Sequence, residues 1–392
     1  MEESKAIVID NGSGFCKAGF ANYDSPISVF PPYVGCRSNC GSRSSAAVGS
    51  QFKDQYVGDE APSCKNIFCK KPDIPFEKGI IADWEGMEKV WHHLFYNELR
   101  VTPDCHPVLI TETPNTLKSI SEKMTEIMFE KLSIPSFYKS CPSLLSLYSS
   151  GRTTGLVLDI GDNQCHSLSI FDGYVLPGSI NFGELAGRDL SLYLIQKLLL
   201  NKCFSFRDKL RIAEDIKKMY CKPSEIQTSL CSLSNSTSGS GDLSRNESLQ
   251  STSYELPDGK QILIDPGTYT CPNIFFSPKL LGSNSDGVQK VVSDSLMSAD
   301  SDIHSSLMSN FILSGGSTLF PGFESMFENE ICKLVPTSSS SIEIVSPHDR
   351  QYSAWIGGSL LASQLQSTHS NMWVSKLDYN EHGSQIIHKK CY

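Results

Sequence analysis

Residues 7–19 read IVIDNGSGFCKAG, and the interpretation of the whole chain starts from this stretch. An apolar run that ends at Asp10 predicts a short strand, and residues 15–20 predict a returning strand. The turn over residues 11–14 contains two glycines, which let the backbone turn sharply and approach an anion without a Cβ in the way. The hairpin is therefore a candidate phosphate-binding turn. Asp10 is placed to hold a cation through water, and Lys17 is placed to meet phosphate charge.

This hairpin is weak evidence by itself, since Asn-Gly turns are common and the Walker A spacing is absent. A second stretch, residues 155–170, reads GLVLDIGDNQCHSLSI and repeats the pattern: an apolar strand ends in Asp159, and a glycine-bearing turn follows. Such an internal repeat predicts a duplicated architecture. Two facing hairpins can hold a triphosphate with its Mg²⁺ or Ca²⁺. The two aspartates would act mainly through water, because Mg²⁺ gives up its own waters reluctantly.

A third glycine turn lies at residues 314–318, directly after the apolar run that begins at Phe311. A Gly-Gly pair after a strand is usually only a turn. After two phosphate-type hairpins, it becomes a candidate edge for a nucleotide base or its phosphates.

Composition limits the class of protein. The chain has 392 residues, enough for two domains of ordinary size, and a net charge of −9, which argues against nonspecific binding to nucleic acid. The N-terminal residues MEESKAIVID contain no long apolar stretch, so we expect no signal peptide, and no apolar run is long enough to span a bilayer. The fourteen cysteines contain no Cys-x-x-Cys pair, so we expect thiols in a reducing compartment and not a metal site.

Periodicity predicts the main elements. Residues 83–99 carry apolar side chains at three- and four-residue steps and predict an amphipathic helix with its aromatic side chains in the core. Further helices are predicted over residues 122–132, within 183–200 and over 207–220, and a hairpin is predicted over 254–265. Residues 36–53 read as an exposed loop. Residues 229–253 are rich in serine and read as a flexible insertion, because they cannot bury enough apolar area to become ordered.

The chain resembles the actin family. The segments that carry the resemblance lie in actin order and include IDNGSGFCKAGF, YVGDEA, WHHLFYNELR, EKMTEIMFE, LSLYSSGRTTGLVLDIGD, LAGRDL, SYELPDG, LSGGSTLF, YSAWIGGSLLAS and the ending HKKCY. Because the resemblance extends over essentially the whole chain, it is highly specific. The chain is similar to a divergent actin or actin-related protein.

The resemblance implies an α/β fold of the actin/Hsp70/hexokinase (ribonuclease H-like) type. In that fold, two duplicated α/β domains enclose a nucleotide cleft, and each carries a smaller subdomain. The implied outer domain consists of residues 1–149 with about 350–392, and the implied inner domain consists of residues 150–349. The implied cofactors are ATP and Mg²⁺ or Ca²⁺.

The resemblance also implies a set of site residues. Asp10 and Asp159 match the acidic pair around the metal, which they hold through water. The residues that match nucleotide-contact positions are Ser13, Gly14, Phe15 and Lys17 on the first phosphate loop, Asp159, Gly161, Asp162, Asn163 and Gln164 on the second, Gly187 and Lys217, and Gly315, Gly316, Ser317 and Phe320 beside the base.

One departure from the family pattern concerns hydrolysis. Pro142 stands where the family carries the glutamine that orients the attacking water, and proline has no side-chain donor or acceptor. His166, the other water-positioning side chain, is retained and is the one catalytic candidate. We therefore expect tight ATP binding with slow or absent hydrolysis, and whether the chain acts as an ATPase stays open at this point.

The resemblance implies an ATP-binding, actin-like cytoskeletal subunit with a structural or assembly role in the cytoplasm. Expected partners are actin-binding proteins, actin itself or further copies of the chain, with no direct contact to nucleic acid and no membrane span. One alternative is an active, ATP-hydrolysing filament former. The other is a nuclear actin-related subunit of a chromatin-remodelling complex, which would place the protein in the nucleus.

Overall fold

The computed structural model describes residues 5–36, 55–58, 74–200, 202–223, 252–265, 268, 270–335 and 342–391. The contacts divide the chain into two compact units. Unit 1 consists of Met1–Thr153, Ile170–Pro177 and Asp349–Tyr392, and unit 2 consists of Thr154–Ser169 and Gly178–His348. The loop predicted at residues 36–53 lies outside the described residues except for Cys36, and so does the serine-rich insertion up to residue 251.

The elements alternate along the chain as an α/β fold requires. The described strands are β1 (Ile7–Asn11), β2 (Cys16–Phe20), β3 (Ser28–Phe30), β4 (Val34–Cys36), β5 (Gln55–Val57), β6 (Phe76–Glu77), β7 (Ile80–Ile81), β8 (Val108–Thr111), β9 (Ser136–Ser140), β10 (Gly155–Ile160), β11 (Cys165–Phe171), β12 (Tyr174–Val175), β13 (Asn181–Gly183), β14 (Thr252–Glu255), β15 (Gln261–Ile264), β16 (Phe311–Ser314), β17 (Ile344–Val345) and β18 (Val374–Ser375).

The described α-helices are α1 (Trp84–His93), α2 (Lys118–Glu126), α3 (Pro142–Ser149), α4 (Gly187–Leu194), α5 (Phe206–Tyr220), α6 (Val288–Met297), α7 (His304–Met308), α8 (Phe323–Cys332), α9 (Ser353–Ser367), α10 (Lys376–His382) and α11 (Ile387–Lys390). Helices α1, α2 and α4 continue as wider π-type turns over Leu94–Leu99, Ile127–Lys131 and Ile195–Leu199. Short 3-10 turns lie at Pro103–Cys105, Pro177–Ser179, Cys271–Phe275, Pro278–Leu281, Ser301–Ile303, Gly316–Thr318, Ser370–Met372 and Ser384–Ile386. No helix in the described ranges is long and apolar enough to cross a membrane.

Unit 1 is built on a six-stranded sheet of order β18-β9-β8-β1-β2-β3. Strand β1 is antiparallel to β2 and parallel to β8, and β8 is parallel to β9. The side chains of Ile7, Val8 and Ile9 are fully buried, as the continuous apolar run of a central strand that is covered on both faces predicts. The first hairpin predicted from the sequence is confirmed, and it places Asp10 directly opposite Lys17.

The helix predicted over residues 83–99 is also confirmed. It begins after Asp83, whose carboxylate accepts a hydrogen bond of 3.1 Å from the amide of Gly86 and so caps the first turn. Met87, Val90 and Trp91 are fully buried, because the three- and four-residue steps place them on one face of the helix. The last six residues of the predicted range form π-type turns.

Helices α3 and α9 pack closely against each other in unit 1. A Cβ at Gly357 of α9 would lie 1.8 Å from the carbonyl oxygen of Leu145 in α3, so only glycine fits there. Next to this contact, Trp355 Nε1 donates a hydrogen bond of 3.0 Å to the carbonyl oxygen of Val8 in β1. Pro142 is the first residue of α3, where proline is tolerated because the first amide of a helix has no acceptor within it.

Unit 2 is organised around β10, which lies between β11 and β16 in the sheet. Strand β10 is parallel to β16, and β16 is parallel to β17. Strand β13 pairs with the start of β11. The predicted hairpin near residues 254–265 is confirmed as β14 and β15. It begins at Thr252, so the last two residues of the predicted serine-rich insertion pair within a strand. The helix predicted within residues 183–200 begins at Gly187.

The central strands of the two units repeat one pattern. In unit 1, β1 ends near an aspartate, forms a hairpin with β2 and lies parallel to β8. In unit 2, β10 carries Asp159 near its end, neighbours β11 across a hairpin turn and lies parallel to β16. In both sheets a further strand, β9 or β17, then lies parallel on the far side. Each unit therefore places one aspartate at the end of a central strand, beside a hairpin turn.

Candidate functional site

Asp10 is the carboxylate of the unit 1 half-site, which we define as residues 10–17 together with Thr111. Its carboxylate is buried and has two partners in the same sheet. Lys17 Nζ lies 2.7 Å from Asp10 Oδ2, because the hairpin places the two residues opposite each other. Thr111 Oγ1, at the end of the parallel strand β8, donates a hydrogen bond of 2.9 Å to Asp10 Oδ1. The carboxylate is thus held by an ammonium group and a hydroxyl group.

The hairpin turn next to Asp10 leaves backbone donors open. A Cβ at Gly12 would lie 2.4 Å from the carbonyl oxygen of Phe15, which explains the glycine. Within the described turns and loops, no backbone hydrogen bond comes from the amides of Ser13 or Gly14. Asn11 Nδ2 is buried and has no acceptor among the described residues. Unused amides, a serine hydroxyl and a nearby lysine form a donor set that suits an anion.

Asp159 is the corresponding carboxylate of the unit 2 half-site, which we define as residues 159–164 with Gly187, Arg188, Lys217 and residues 314–317. Ser314 Oγ, on the parallel strand β16, donates a hydrogen bond of 2.8 Å to Asp159 Oδ2. In contrast to Asp10, Asp159 forms no ion pair with a lysine or arginine in the described part of the chain. Its negative charge is therefore not offset by a neighbouring basic side chain.

Three segments that are distant in sequence meet at the hairpin turn of unit 2. The carbonyl oxygen of Gly161 accepts hydrogen bonds from the amide of Gly187 at 3.0 Å and from Ser317 Oγ at 2.9 Å. A Cβ at Gly187 would lie 2.3 Å from Ser317 Oγ and 3.0 Å from the Gly161 oxygen. The close packing requires glycine at this position. It brings together residues that the sequence analysis had assigned to one nucleotide site.

The second hairpin turn resembles the first in its open donors. Its base closes through a hydrogen bond of 2.8 Å from the amide of Gly161 to the carbonyl oxygen of Gln164. In the described turns, no backbone hydrogen bond comes from the amides of Asp162, Asn163 or Gln164. The predicted phosphate-contact residues of this turn therefore present backbone N–H groups that the protein itself does not use.

Arg188 is a site residue that the sequence analysis missed. Its Nη2 atom lies 2.5 Å from Asp162 Oδ2, and its amide donates a hydrogen bond of 2.6 Å to the carbonyl oxygen of Asp162. Burial raises the pKa of Asp162, and the charge of Arg188 opposes this shift. The only signal in the sequence was the position of Arg188 directly after Gly187. Its partner became visible only when the fold brought α4 to the hairpin.

Lys217 lies in the cluster, but protein acceptors already occupy its ammonium group. Its Nζ atom donates hydrogen bonds of 3.0 Å to the carbonyl oxygen of Gly187, 2.8 Å to Ser191 Oγ and 3.3 Å to Glu214 Oε1. A lysine ammonium has three donors. In this arrangement Lys217 therefore holds the start of α4 in place.

The third glycine turn packs against the end of β10. Gly315 has a φ of +86°, and a Cβ there would lie 2.3 Å from the carbonyl oxygen of Ile160, so a side chain is excluded. Gly316 is open, with no atom within 4 Å of the position of a Cβ. Phe320 follows the turn and packs into the core of unit 2. The turn is thus attached to the Asp159 strand, while its role as an edge for a nucleotide base stays a prediction.

The two residues discussed for hydrolysis differ in their surroundings. His166 is buried on β11, where burial lowers its pKa and the charge of Asp159 partly opposes this shift. Pro142 is partly exposed at the start of α3 in unit 1. His166 offers a polar ring, whereas Pro142 offers only a hydrocarbon ring. Among the described residues, no group of three or more His, Cys, Asp or Glu side chains is arranged to hold a metal ion.

Comparison with known protein families gives one finding. A family model described as Actin matches residues 1–392, which is the entire chain. The match includes both half-sites and every segment on which the sequence resemblance rests.

Proposed function

The chain belongs to the actin family, and from this premise we propose that it is an ATP-binding, actin-like cytoskeletal subunit with a structural or assembly role and with weak or absent ATP hydrolysis. The observation that carries this proposal is the repeated arrangement of a strand-end aspartate beside a hairpin turn with unused amides. Two such arrangements in one chain fit a polyphosphate and its cation far better than one would. They also support the duplicated α/β architecture of the actin/Hsp70/hexokinase fold.

The residues present fit ATP and a divalent cation. The amides of the two hairpin turns and Lys17 would bind the phosphates, while Asp10 and Asp159 would hold the waters of Mg²⁺ or Ca²⁺. The third turn, with Gly315, Gly316 and Ser317, would lie against the base, with Phe320 behind it. When bound, the cation neutralises charge on the phosphate oxygens. The protein's own part is to orient these groups in advance, as the hydrogen bonds around Gly161 do.

Weak hydrolysis is proposed because one of the two water-positioning side chains is absent. Pro142 can neither accept a hydrogen bond from a water molecule nor donate one to it. His166 is buried, and the lowered pKa keeps its ring neutral near pH 7, so it is the retained group that can position a water. One group in place of two orients the attacking water less well, and orientation makes a large contribution to such reactions.

The assembly role has support on the surface of unit 1. Tyr174 is 70% exposed, although aromatic side chains of this size are commonly half-buried or more. Tyr148 Oη donates a long hydrogen bond of 3.5 Å to the carbonyl oxygen of Gly173, which fixes the turn that carries Tyr174. The resemblance implies that both tyrosines stand at positions where family members contact binding partners. We propose actin-binding proteins, actin itself or further copies of the chain as partners, in the cytoplasm and its cytoskeleton.

A binding experiment tests the nucleotide part of the proposal. Purified protein, freed of nucleotide, is titrated with a fluorescent ATP analogue in the presence of Mg²⁺. We expect saturation at about one analogue per chain, because the resemblance to the actin family implies one nucleotide site. Lys17→Met should weaken binding, since it removes the lysine beside the first turn. Lys89→Met is the matched control, because Lys89 forms an ion pair of 2.7 Å with Glu85 outside both half-sites.

Wild-type protein that does not bind the analogue would contradict the proposal. Equal weakening by the Lys17 and Lys89 variants would show that the first hairpin is not the phosphate site.

The assembly part is tested by sedimentation in Mg-ATP and salt, with and without actin. If the protein pellets without actin and releases phosphate, the result would favour an active filament former. Recovery only from nuclear fractions with remodelling subunits would favour the nuclear alternative.

A further inference from the structure

Each of the two strand-end aspartates accepts a hydrogen bond from a hydroxyl group on the neighbouring parallel strand. In unit 1, Thr111 Oγ1 donates a hydrogen bond of 2.9 Å to Asp10 Oδ1. In unit 2, Ser314 Oγ donates one of 2.8 Å to Asp159 Oδ2. From the sequence, Thr111 has no predicted role, and Ser314 is only the first residue of the third glycine turn. Their correspondence in two separate sheets needs an explanation beyond the packing of a single side chain.

The position of each hydroxyl follows from the strand register. In unit 2, Asp159 and Ser314 are direct partners across β10 and β16. In unit 1, Ile9 pairs with Ile110 across β1 and β8, so Asp10 and Thr111 are the next residues along the same parallel ladder. Neighbouring residues in parallel strands point to the same face of a sheet. The hydroxyl therefore reaches its aspartate in both sheets for the same geometric reason.

The direction of the hydrogen bond from Thr111 is determined by its surroundings. Thr111 Oγ1 accepts a hydrogen bond of 2.9 Å from the amide of Asn11, so its single proton is directed to Asp10 Oδ1. Thr111 and Ser314 are both at least 95% buried, which restricts competition from bulk water. Each hydroxyl thus occupies one carboxylate oxygen of its aspartate and fixes the rotation of that carboxylate.

The two carboxylates differ in the charge that remains available. Lys17 Nζ lies 2.7 Å from Asp10 Oδ2, and its positive charge partly compensates the negative charge of this carboxylate. Asp159 has no lysine or arginine as an ion-pair partner in the described ranges. A cation is attracted by the carboxylate whose charge is not already compensated. The carboxylate of Asp159 therefore attracts a cation more strongly than the carboxylate of Asp10 does.

We propose that Thr111 and Ser314 are positioning residues for the divalent cation, each acting by fixing the orientation of its aspartate, and that Ser314 has the larger effect of the two. The inference rests on the proposed function, because it concerns the cation that accompanies the nucleotide. Groups that hydrogen-bond to metal-binding carboxylates commonly change metal affinity by about 10- to 100-fold. An alternative is that the hydroxyls only compensate buried carboxylates and so contribute to folding.

The test compares variants that remove the hydroxyl with variants that keep it. Thr111→Val and Ser314→Ala remove the donor, while Thr111→Ser and Ser314→Thr retain it. For each protein, Mg²⁺ is titrated into the complex with a fluorescent ATP analogue, and the affinity for the analogue is also measured in EDTA. The midpoint of thermal unfolding without nucleotide is measured in parallel.

We expect Ser314→Ala to weaken Mg²⁺ binding about tenfold or more and Thr111→Val to weaken it less, with the affinity in EDTA unchanged. The two variants that retain the hydroxyl should bind Mg²⁺ like the wild type. If the hydroxyl-free variants lower the unfolding midpoint but bind Mg²⁺ normally, the inference is wrong and the hydroxyls serve folding alone. Wild-type protein that does not bind the analogue would instead overturn the proposed function itself.

Discussion

At the scale of single residues, Pro142 is the position where the resemblance implies a departure from the family that bears on chemistry. The ring suits the first turn of α3, so the substitution needs no rearrangement of the helix. The consequence lies in the missing side-chain amide, which could otherwise hold a water molecule. The helix is preserved, while the proposed water-positioning group is lost.

Restoring the amide should therefore restore hydrolysis. We expect Pro142→Gln to release phosphate from bound Mg-ATP at least about tenfold faster than the wild type, since misplacement of a reacting group can cost about 100-fold in rate. The measurement is single-turnover phosphate release from protein loaded with one ATP. Pro142→Ala is the control, because it removes the ring without adding a donor. An equal acceleration in the alanine variant would show that the ring, and not the missing amide, limits hydrolysis.

Gly187 is the second residue whose role follows from its surroundings. We expect Gly187→Ala to lower the free energy of unfolding by about 1–3 kcal/mol, because the new Cβ would force Ser317 and the Gly161 turn apart. The same displacement should weaken ATP binding. Thermal unfolding and analogue titration provide the two measurements. Gly178→Ala is the matched control in unit 2, where no atom lies within 4 Å of a Cβ; similar losses in both variants would contradict the assignment.

The sequence identified the residues with distinctive local patterns and missed those that act through distant partners. Asp10 and Asp159 stand out because each follows an apolar run and precedes a glycine turn. Thr111 and Ser314 are ordinary hydroxyl residues at strand ends, and only the parallel register shows which carboxylate each one reaches. Arg188 was missed for the same reason. No local pattern encodes a partner that lies more than twenty residues away.

At the scale of elements, periodicity located the helices better than it located their ends. The apolar stripe over residues 83–99 predicted α1, because buried side chains dominate that face of the helix. The start of α2 at Lys118 was missed, since its first residues are polar and carry no side-chain cap. The glycine pair after Trp355 is the local sequence signal for close helix packing, and Gly357 does lie against Leu145.

The C-terminal helices provide an electrostatic prediction at this scale. Asp378 caps α10 together with Ser375 and accepts a hydrogen bond of 2.7 Å from Lys390 at the end of α11. Hydrogen bonds from Lys390 and from Ser375 lower the pKa of Asp378 to about 2. Because this pKa is lower in the folded state than in the unfolded state, its stabilising contribution is present above about pH 4 and is lost as the pH falls toward about 2.

We therefore expect Asp378→Asn to lower the midpoint of thermal unfolding near neutral pH. The difference from the wild type should shrink as the pH falls from about 4 to about 2, because protonation removes the same charge from the wild-type protein. The control is Asp104→Asn, an exposed carboxylate that forms no ion pair among the described residues. A difference for Asp378→Asn that stays constant over this pH range would contradict the role of its charge.

At the scale of the whole molecule, membership of the actin family and the two half-sites lead to one account. The family match covers residues 1–392, and each unit carries an aspartate held by a neighbouring hydroxyl beside a turn with open amides. We propose a subunit that uses bound ATP to keep its fold and its partner surfaces in order. The proposal includes slow turnover of that ATP, because Pro142 offers no side-chain group that could orient the attacking water.

The most direct test of this account is to identify and count the nucleotide on the protein over time. Purified protein is loaded with ATP and Mg²⁺, separated from free nucleotide and incubated, and the bound nucleotide is then extracted and analysed by chromatography. The account predicts about one nucleotide per chain, still present as ATP after hours, since the site binds ATP but turns it over slowly. Protein that carries no nucleotide, or that carries only ADP after a few minutes, would contradict it.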